Sequence, residues 1–215
     1  MSPDHLAVLV EGTPPEDKAR PISDVVARIV KLNCGLRDFW SASHGWAPQD
    51  AADLMSKSRL DRQASLSSSL RHWLEVPSDS FEDGDLILGW ANLGSLIEGT
   101  VKLFLAVYYQ DYKNDLDNLK QTQAWHAKKE KLLDPDVLRL EVLIDYLETA
   151  QLFATDELAL CRFVQDRRNA IHAFKDRPIG SGSELYAAMR SYLGMLRSTN
   201  SRLPYPDEGH HPTEC

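Results

Sequence analysis

The segment from Leu86 to Tyr108 constrains the fold of this chain more than any other. Its apolar residues recur every three or four positions over about six helical turns; they are Leu86, Trp90, Leu93, Ile97, Val101, Phe104 and Tyr108. A helix with such a stripe must bury it against other elements. Because no stretch of the sequence alternates apolar and polar residues convincingly, those elements are expected to be helices, and the predicted fold class is all-α.

The remaining periodic segments predict two groups of helices. Residues 21–76 predict an N-terminal helical hairpin, whose second helix runs from Asp50 to about Glu75. Residues 84–199 predict an antiparallel helical bundle. Within that bundle, Asp134-Pro135 is expected to begin one helix, and Ser181-Gly-Ser-Glu184 resembles a capping box that begins the last one.

Three stretches lack a clear apolar pattern. Residues 1–20 contain Gly-Thr-Pro-Pro and many charges, and we expect a flexible N-terminus there. Residues 112–132 are rich in lysine and aspartate, which predicts a mobile or solvated link that is helical only in part. Residues 200–215 are polar and contain proline, which is typical of a disordered tail.

The composition restricts the classes of function. The formal net charge is −8, which argues against broad, charge-driven binding of nucleic acid but allows a small local basic site. Three cysteines without CxxC or zinc-like spacing fit a reducing compartment. The sequence shows neither a signal peptide nor an uninterrupted apolar run of membrane-spanning length, so we expect a cytoplasmic protein with no membrane partner.

The chemistry-bearing residues are concentrated between Cys161 and Phe174. Five apolar residues fall within a stripe of roughly 100° on a helical wheel; they are Leu160, Phe163, Val164, Ile171 and Phe174. Arg167 projects into the middle of this stripe, and Arg168 and His172 share its flank. A buried guanidinium without a partner is costly, so Arg167 is either paired in the core or lines a cleft.

Structural roles can also explain these residues. Arg167 could pair with an acid such as Glu98 and hold two helices in register. His172, near the end of its helix, could bind the terminal carbonyl groups and interact with the helix dipole. Glu98 itself lies four residues before Lys102 at the margin of the stripe on the long helix, which predicts a favourable exposed ion pair.

The sequence from Arg167 to His172 resembles the signature of the HEPN superfamily of all-α domains, an arginine followed by four to six residues and a histidine. Arg168-Asn-Ala-Ile-His172 is also similar to the common Arg-Asn-x-x-His form. The segment Asn92–Leu105 is similar to the long second helix of that family. The resemblance extends from Gly84 to about Thr199, and it implies a core of four or five helices.

The resemblance implies a metal-independent endoribonuclease that needs no cofactor. Arg167 or Arg168 would contact the phosphate, and His172 would transfer a proton. Asn169 and Lys175 are the candidates for substrate binding. The 2′-hydroxyl of RNA would be the nucleophile, and the products would be a 2′,3′-cyclic phosphate and a 5′-hydroxyl.

The family also implies a homodimer in which the helices bearing Arg167 and His172 face each other across the subunit interface. A bacterial stress or phage-defence role, toxin-like and controlled by an antitoxin or regulatory protein, is the expected setting. The alternatives are a HEPN-like module for dimerisation or for nucleotide or RNA binding without catalysis, and a helical interaction protein.

Overall fold

The computed structural model describes residues 5–171 and 176–214, and it confirms the all-α fold class. Within these residues the chain forms eleven α-helices and one two-stranded sheet. The helices are α1 (His5–Gly12), α2 (Pro15–Ala19), α3 (Ile22–Trp40), α4 (Gln49–Met55), α5 (Leu60–Ser69), α6 (Asp83–Val107), α7 (Tyr109–Asn114), α8 (Leu116–Leu119), α9 (Leu140–Thr149), α10 (Thr155–Arg168) and α11 (Gly182–Arg202).

Short 3-10 helices and the sheet complete the chain. The 3-10 helices span Leu70–Leu74, Ser78–Ser80, Ala127–Lys129, Pro135–Val137, Asn169–Ile171 and Glu208–His210. The antiparallel strands β1 (Trp125–His126) and β2 (Lys131–Leu132) pair Trp125 with Leu132. Within the described residues no helix is both long enough and apolar enough to cross a bilayer.

Helix α6 is the central element, as its apolar stripe predicts. Trp90, Leu93, Ile97 and Val101 are fully buried, and α6 packs against α4, α5, α10 and α11. Its first turn is closed by a capping box, in which the side chain of Asp85 accepts the backbone N–H of Glu82 at 3.1 Å. Around this helix the others can bury their own apolar faces in one core.

The N-terminal hairpin differs from its expectation in its second arm. The expected helix from Asp50 to Glu75 is divided into α4, α5 and a 3-10 turn. The break lies at Ser56–Arg59, where Arg59 adopts a left-handed conformation with φ of 49°. This turn redirects the chain so that α5 packs against both α3 and α6, and the hairpin therefore shares the core of the bundle.

The stretch at 112–132, expected to be a mobile link, is packed onto the bundle. The Tyr112 hydroxyl donates to the carbonyl of Leu133 at 2.6 Å, and the Tyr146 hydroxyl donates to Asp115 at 2.9 Å. Leu119 and Ala124 are buried. A few apolar and tyrosine anchors, widely spaced in the sequence, are enough to fix this segment.

Both chain ends also contain ordered contacts within the described residues. In the stretch expected to be flexible, residues 1–20, Leu9 is buried in α1 and Asp17 is buried in α2. In the stretch expected to be a disordered tail, residues 200–215, Tyr205 packs against Trp40 and bonds Asn200. Composition alone does not predict these contacts, because each depends on single residues that meet distant helices.

Candidate functional site

Helix α10 carries the motif region, and its buried face orients it. Leu160, Cys161 and Val164 are buried, and the ring of Phe163 meets that of Trp90 edge to face with centroids 5.7 Å apart. The α-helix ends at Arg168 and continues as the 3-10 turn Asn169–Ile171. The candidate site residues His172 and Lys175, together with Phe174 of the apolar stripe, lie outside the described residues.

Arg167 is held against the start of α11. Its Nη1 donates to the carbonyl of Pro178 at 3.1 Å, and its Nη2 lies 3.2 Å from Glu184 Oε1. The guanidinium also lies over the ring of Phe163, 4.9 Å from its centroid, and only 16% of the side chain is exposed. Arg167 is therefore paired, but its partner is Glu184 rather than the expected Glu98.

The same glutamate closes the first turn of α11. Ser181 N–H donates to Glu184 Oε2 at 2.7 Å, and Glu184 N–H donates to Ser181 Oγ at 3.3 Å. This confirms the capping box predicted for the last helix. One carboxylate oxygen of Glu184 accepts the capping N–H, and its other oxygen binds Arg167. Arg167 therefore fixes the end of α10 to the beginning of α11.

Arg168 points to a different neighbour. Its Nη1 donates to Glu98 Oε2 at 2.7 Å, and its stem crosses Gly94 of α6 so closely that a Cβ on Gly94 would lie 2.6 Å from Arg168 Cδ. The side chain is 34% exposed. The two adjacent arginines thus differ in role: Arg167 is enclosed by protein groups, whereas Arg168 remains accessible.

Glu98 joins Arg168 to Lys102. Lys102 Nζ lies 2.8 Å from Glu98 Oε1, which confirms the ion pair predicted on α6. The pair is not exposed as expected, because only 26% of the Lys102 side chain and 20% of the Glu98 side chain are accessible. Lys102 Nζ also donates to the carbonyl of Asp136 at 3.1 Å. Burial alone would raise the pKa of Glu98, but the hydrogen bonds and charges of Lys102 and Arg168 outweigh it and lower the pKa. Glu98 is therefore an anion that holds two cations in place.

Arg168 and Asn169 open onto a cleft of about 460 Å³ between α6, α10 and the turn that precedes α9. Its walls contain Glu98, Lys102, Val137, Leu138, Arg139, Leu140, Glu141, Gln165, Arg168 and Asn169. Three of these residues are cations and two are carboxylates, so the cleft is locally basic in an acidic chain. Such a site can bind a phosphate through donors from separate elements.

Sequence reasoning did not identify Arg139 or Gln165 as site residues. Arg139 immediately precedes α9, some thirty residues before the motif, and its position in the cleft follows from how α9 packs against α10. Gln165 lies one helical turn before Asn169, and helical spacing from the motif could have identified it.

Cys161, which lies on the flank of the same helix, is not accessible for chemistry. It is fully buried, and this burial, together with the nearby charge of Glu157, raises the pKa of its thiol to about 12. A thiol of this kind is protonated at neutral pH and packs as a small apolar group.

Comparison with known proteins does not assign a family. No protein-family model matches the chain, and no curated protein or solved structure shows significant similarity to it.

Proposed function

We propose that this chain is a metal-independent endoribonuclease of the HEPN type. The observation that carries the proposal is the position of Arg168 and Asn169, two residues of the motif, in an open basic cleft beside Lys102 and Arg139. A phosphodiester in this cleft would meet guanidinium, ammonium and amide donors from α6, α10 and the N-terminal end of α9. RNA is the proposed substrate because its own 2′-hydroxyl can act as the nucleophile.

The proposed reaction is an internal transfer at phosphorus. The 2′-oxygen loses its proton and forms a bond to phosphorus, while the bond from phosphorus to the 5′-oxygen breaks and that oxygen takes up a proton. The products are a 2′,3′-cyclic phosphate and a 5′-hydroxyl. Arg168 would stabilise the charge that builds on the phosphate oxygens, and His172 would move a proton.

The two arginines have different proposed roles. Arg168 is the phosphate ligand because it is accessible and borders the cleft. Arg167 is a positioning residue, since Pro178 and Glu184 already bind its two terminal nitrogens, Nη1 and Nη2. Asn169 and Lys175 would bind the neighbouring nucleotides. Glu98 would hold Arg168 in place in the free protein, and Lys102 would continue to neutralise Glu98 when a phosphate attracts Arg168.

The proposed active form is a homodimer that joins through the motif face. Two large apolar side chains are exposed here: Val137 is 65% exposed on the wall of the cleft, and Ile171 is 51% exposed two residues after Asn169. Ile171→Asp should shift the dimer towards the monomer without unfolding it, as measured by sedimentation velocity. Leu116→Asp, which changes an exposed leucine on α8, is the matched control.

The cellular role proposed with this activity is a bacterial stress or phage-defence response in the cytoplasm. Regulation by an antitoxin or another regulatory protein follows from the same resemblance. Such regulation would suit a nuclease whose substrate is present throughout the cell.

The decisive experiment measures cleavage of a generic RNA in excess chelator. Wild-type protein should cleave, His172→Ala should abolish cleavage, and Arg168→Gln should reduce it by about 100-fold or more. Arg71→Gln, which changes an exposed arginine away from the cleft, should cleave as wild type does. Failure of the wild-type protein to cleave RNA, as dimer or monomer, would contradict the proposal.

A non-catalytic HEPN-like module for dimerisation or for nucleotide or RNA binding is the second candidate. It is favoured by the fact that both guanidinium groups already have carboxylate partners, Glu184 and Glu98. In this case, RNA or nucleotide would bind at low salt without being cleaved. The binding would weaken in Arg168→Gln and be unchanged in Arg71→Gln.

A further inference from the structure

A second cavity lies near the other end of α10, between α1, α10 and α11. It has a volume of about 220 Å³ and is lined by Leu9, Gly12, Thr13, Pro14, Ala154, Asp156, Glu157, Leu160, Ser191, Gly194, Met195 and Ser198. Glu157 lies eleven residues before Arg168, which corresponds to about 16 Å along the helix. The two sites share no lining residue.

Glu157 lines this cavity and has one buried carboxylate oxygen without a hydrogen-bond partner among the described residues. The residue is only 8% exposed. Its Oε2 accepts the backbone N–H of Ala154 at 2.8 Å and so caps α10. Its Oε1 is also buried, yet no hydrogen-bond donor reaches it within the part of the chain that the structure describes. A buried carboxylate oxygen without a donor is destabilising, and a ligand with an N–H group would relieve this cost.

The other polar groups in the cavity are acceptors or hydroxyls. Thr13 Oγ1 and Ser191 Oγ lie 2.8 Å apart, and Asp156 supplies a second carboxylate. None of the lining residues within the described chain carries a positive charge. The potential inside therefore favours a cation, and the hydroxyl groups can accept hydrogen bonds from it.

Gly194 lines the cavity and has no side chain to fill it. It lies in the interior of α11, where glycine stabilises a helix less than alanine does. Apart from the neighbouring backbone of α11, no atom of the described residues lies within 4 Å of a Cβ added to Gly194. Close packing therefore does not require glycine at this position. Gly194 lines the cavity, and the space beside it can take a larger side chain.

We infer that this cavity binds a small primary alkylamine. The ammonium group would donate to Glu157 Oε1 and to the hydroxyl groups, and the alkyl chain would pack against Leu9, Leu160 and Met195. A divalent metal ion fits less well, because no group of three His, Cys, Asp or Glu side chains gathers anywhere in the described residues. The inference is independent of the proposed nuclease activity.

The test is a titration of the full chain with n-butylamine at neutral pH, followed by ¹H–¹⁵N NMR shifts of residues in α1, α10 and α11. 1-Butanol, which has the same shape without the charge, and KCl at matched ionic strength are the ligand controls. We expect saturable shifts with the amine alone. Equal shifts with 1-butanol or with KCl would overturn the inference, and so would no response to the amine.

Two variants locate the site. Glu157→Gln keeps an oxygen that can accept the Ala154 N–H but removes the charge, and it should weaken binding by about 10-fold or more. Glu11→Gln removes an equal charge from an exposed position on α1 outside the cavity and should bind as wild type does. Unchanged affinity in Glu157→Gln would contradict the assignment.

Gly194→Leu fills the cavity without removing any polar group. It should abolish binding while the melting temperature stays equal or rises, since leucine is a better helix former than glycine. Full binding by a folded Gly194→Leu protein would overturn the inference, even if Glu157→Gln failed to fold.

Discussion

Arg168 donates through Nη1 to Glu98 Oε2 at 2.7 Å and thereby links the last turn of α10 to the middle of α6. The neighbouring Arg167 bonds Glu184 and Pro178 at the start of α11. One helical end is thus connected to two other helices by consecutive arginines. The α11 connection is enclosed by protein, and the α6 connection borders the basic cleft.

This division predicts opposite effects of substituting the two arginines. Arg167→Met should lower the free energy of unfolding by about 1–3 kcal/mol, because Glu184 loses a largely buried charged partner. Arg168→Met should lower the free energy of unfolding by less than about 1 kcal/mol, because the pair of Arg168 with Glu98 is partly exposed and Lys102 still neutralises Glu98. Of the two variants, Arg168→Met should cause the larger loss of RNA cleavage or binding. Urea denaturation and the RNA assay measure the two effects. The opposite ranking in both assays would contradict the division.

Gly94 offers a way to move Arg168 without changing it. A Cβ at Gly94 would lie 2.6 Å from Arg168 Cδ, so Gly94→Ala must displace the arginine stem and disturb its bond to Glu98. We expect about a 10-fold or greater loss of RNA cleavage or affinity with the fold retained. Gly84→Ala, on the same helix where a Cβ meets open space, is the matched control. Equal activity of the two variants would show that the position of Arg168 is unimportant.

Asp17 should make folding sensitive to acid. Burial alone would raise its pKa, but hydrogen bonds and charges from Arg197 and Arg20 outweigh this effect and hold the pKa below its ordinary value of 3.8. A carboxylate whose pKa is lowered in the folded state stabilises the fold above pH 3.8, and this stabilisation is lost as pH falls through the lower, folded-state value.

Asp17→Asn should therefore lower the free energy of unfolding by about 2 kcal/mol at neutral pH and by much less in strong acid. Urea denaturation at about pH 7 and about pH 2.5 measures the difference. Asp117→Asn, an exposed residue of α8, should have little effect at either pH. A deficit in Asp17→Asn that is the same at both pH values would refute the linkage.

Tyr205 should stabilise the segment that follows α11. Its hydroxyl donates to Asn200 Oδ1 at 2.7 Å and accepts from Trp40 Nε1 at 3.1 Å. Tyr205→Phe removes both hydrogen bonds and should lower the free energy of unfolding by about 1–2 kcal/mol. The fluorescence of Trp40 should change as well, because its indole N–H loses its acceptor. If residues 200–215 formed a disordered tail, neither the stability nor the fluorescence would change.

Local patterns in the sequence determined a large part of this protein. The stripe on α6, the capping box at Ser181–Glu184 and the Glu98–Lys102 pair all involve residues within a few turns of one helix. Helix geometry fixes their relative positions whatever the rest of the chain does. The all-α class follows from the same periodicity.

Only the tertiary structure decided how the site is arranged. A helical wheel separates Arg167 from Arg168 by about 100°, but it does not show which helix lies on each side. The packing of α10 against α6 and α11 pairs Arg168 with Glu98 and Arg167 with Glu184. The same long-range contacts brought Arg139 into the cleft and left Glu157 Oε1 unpaired, because these positions depend on residues distant in the sequence.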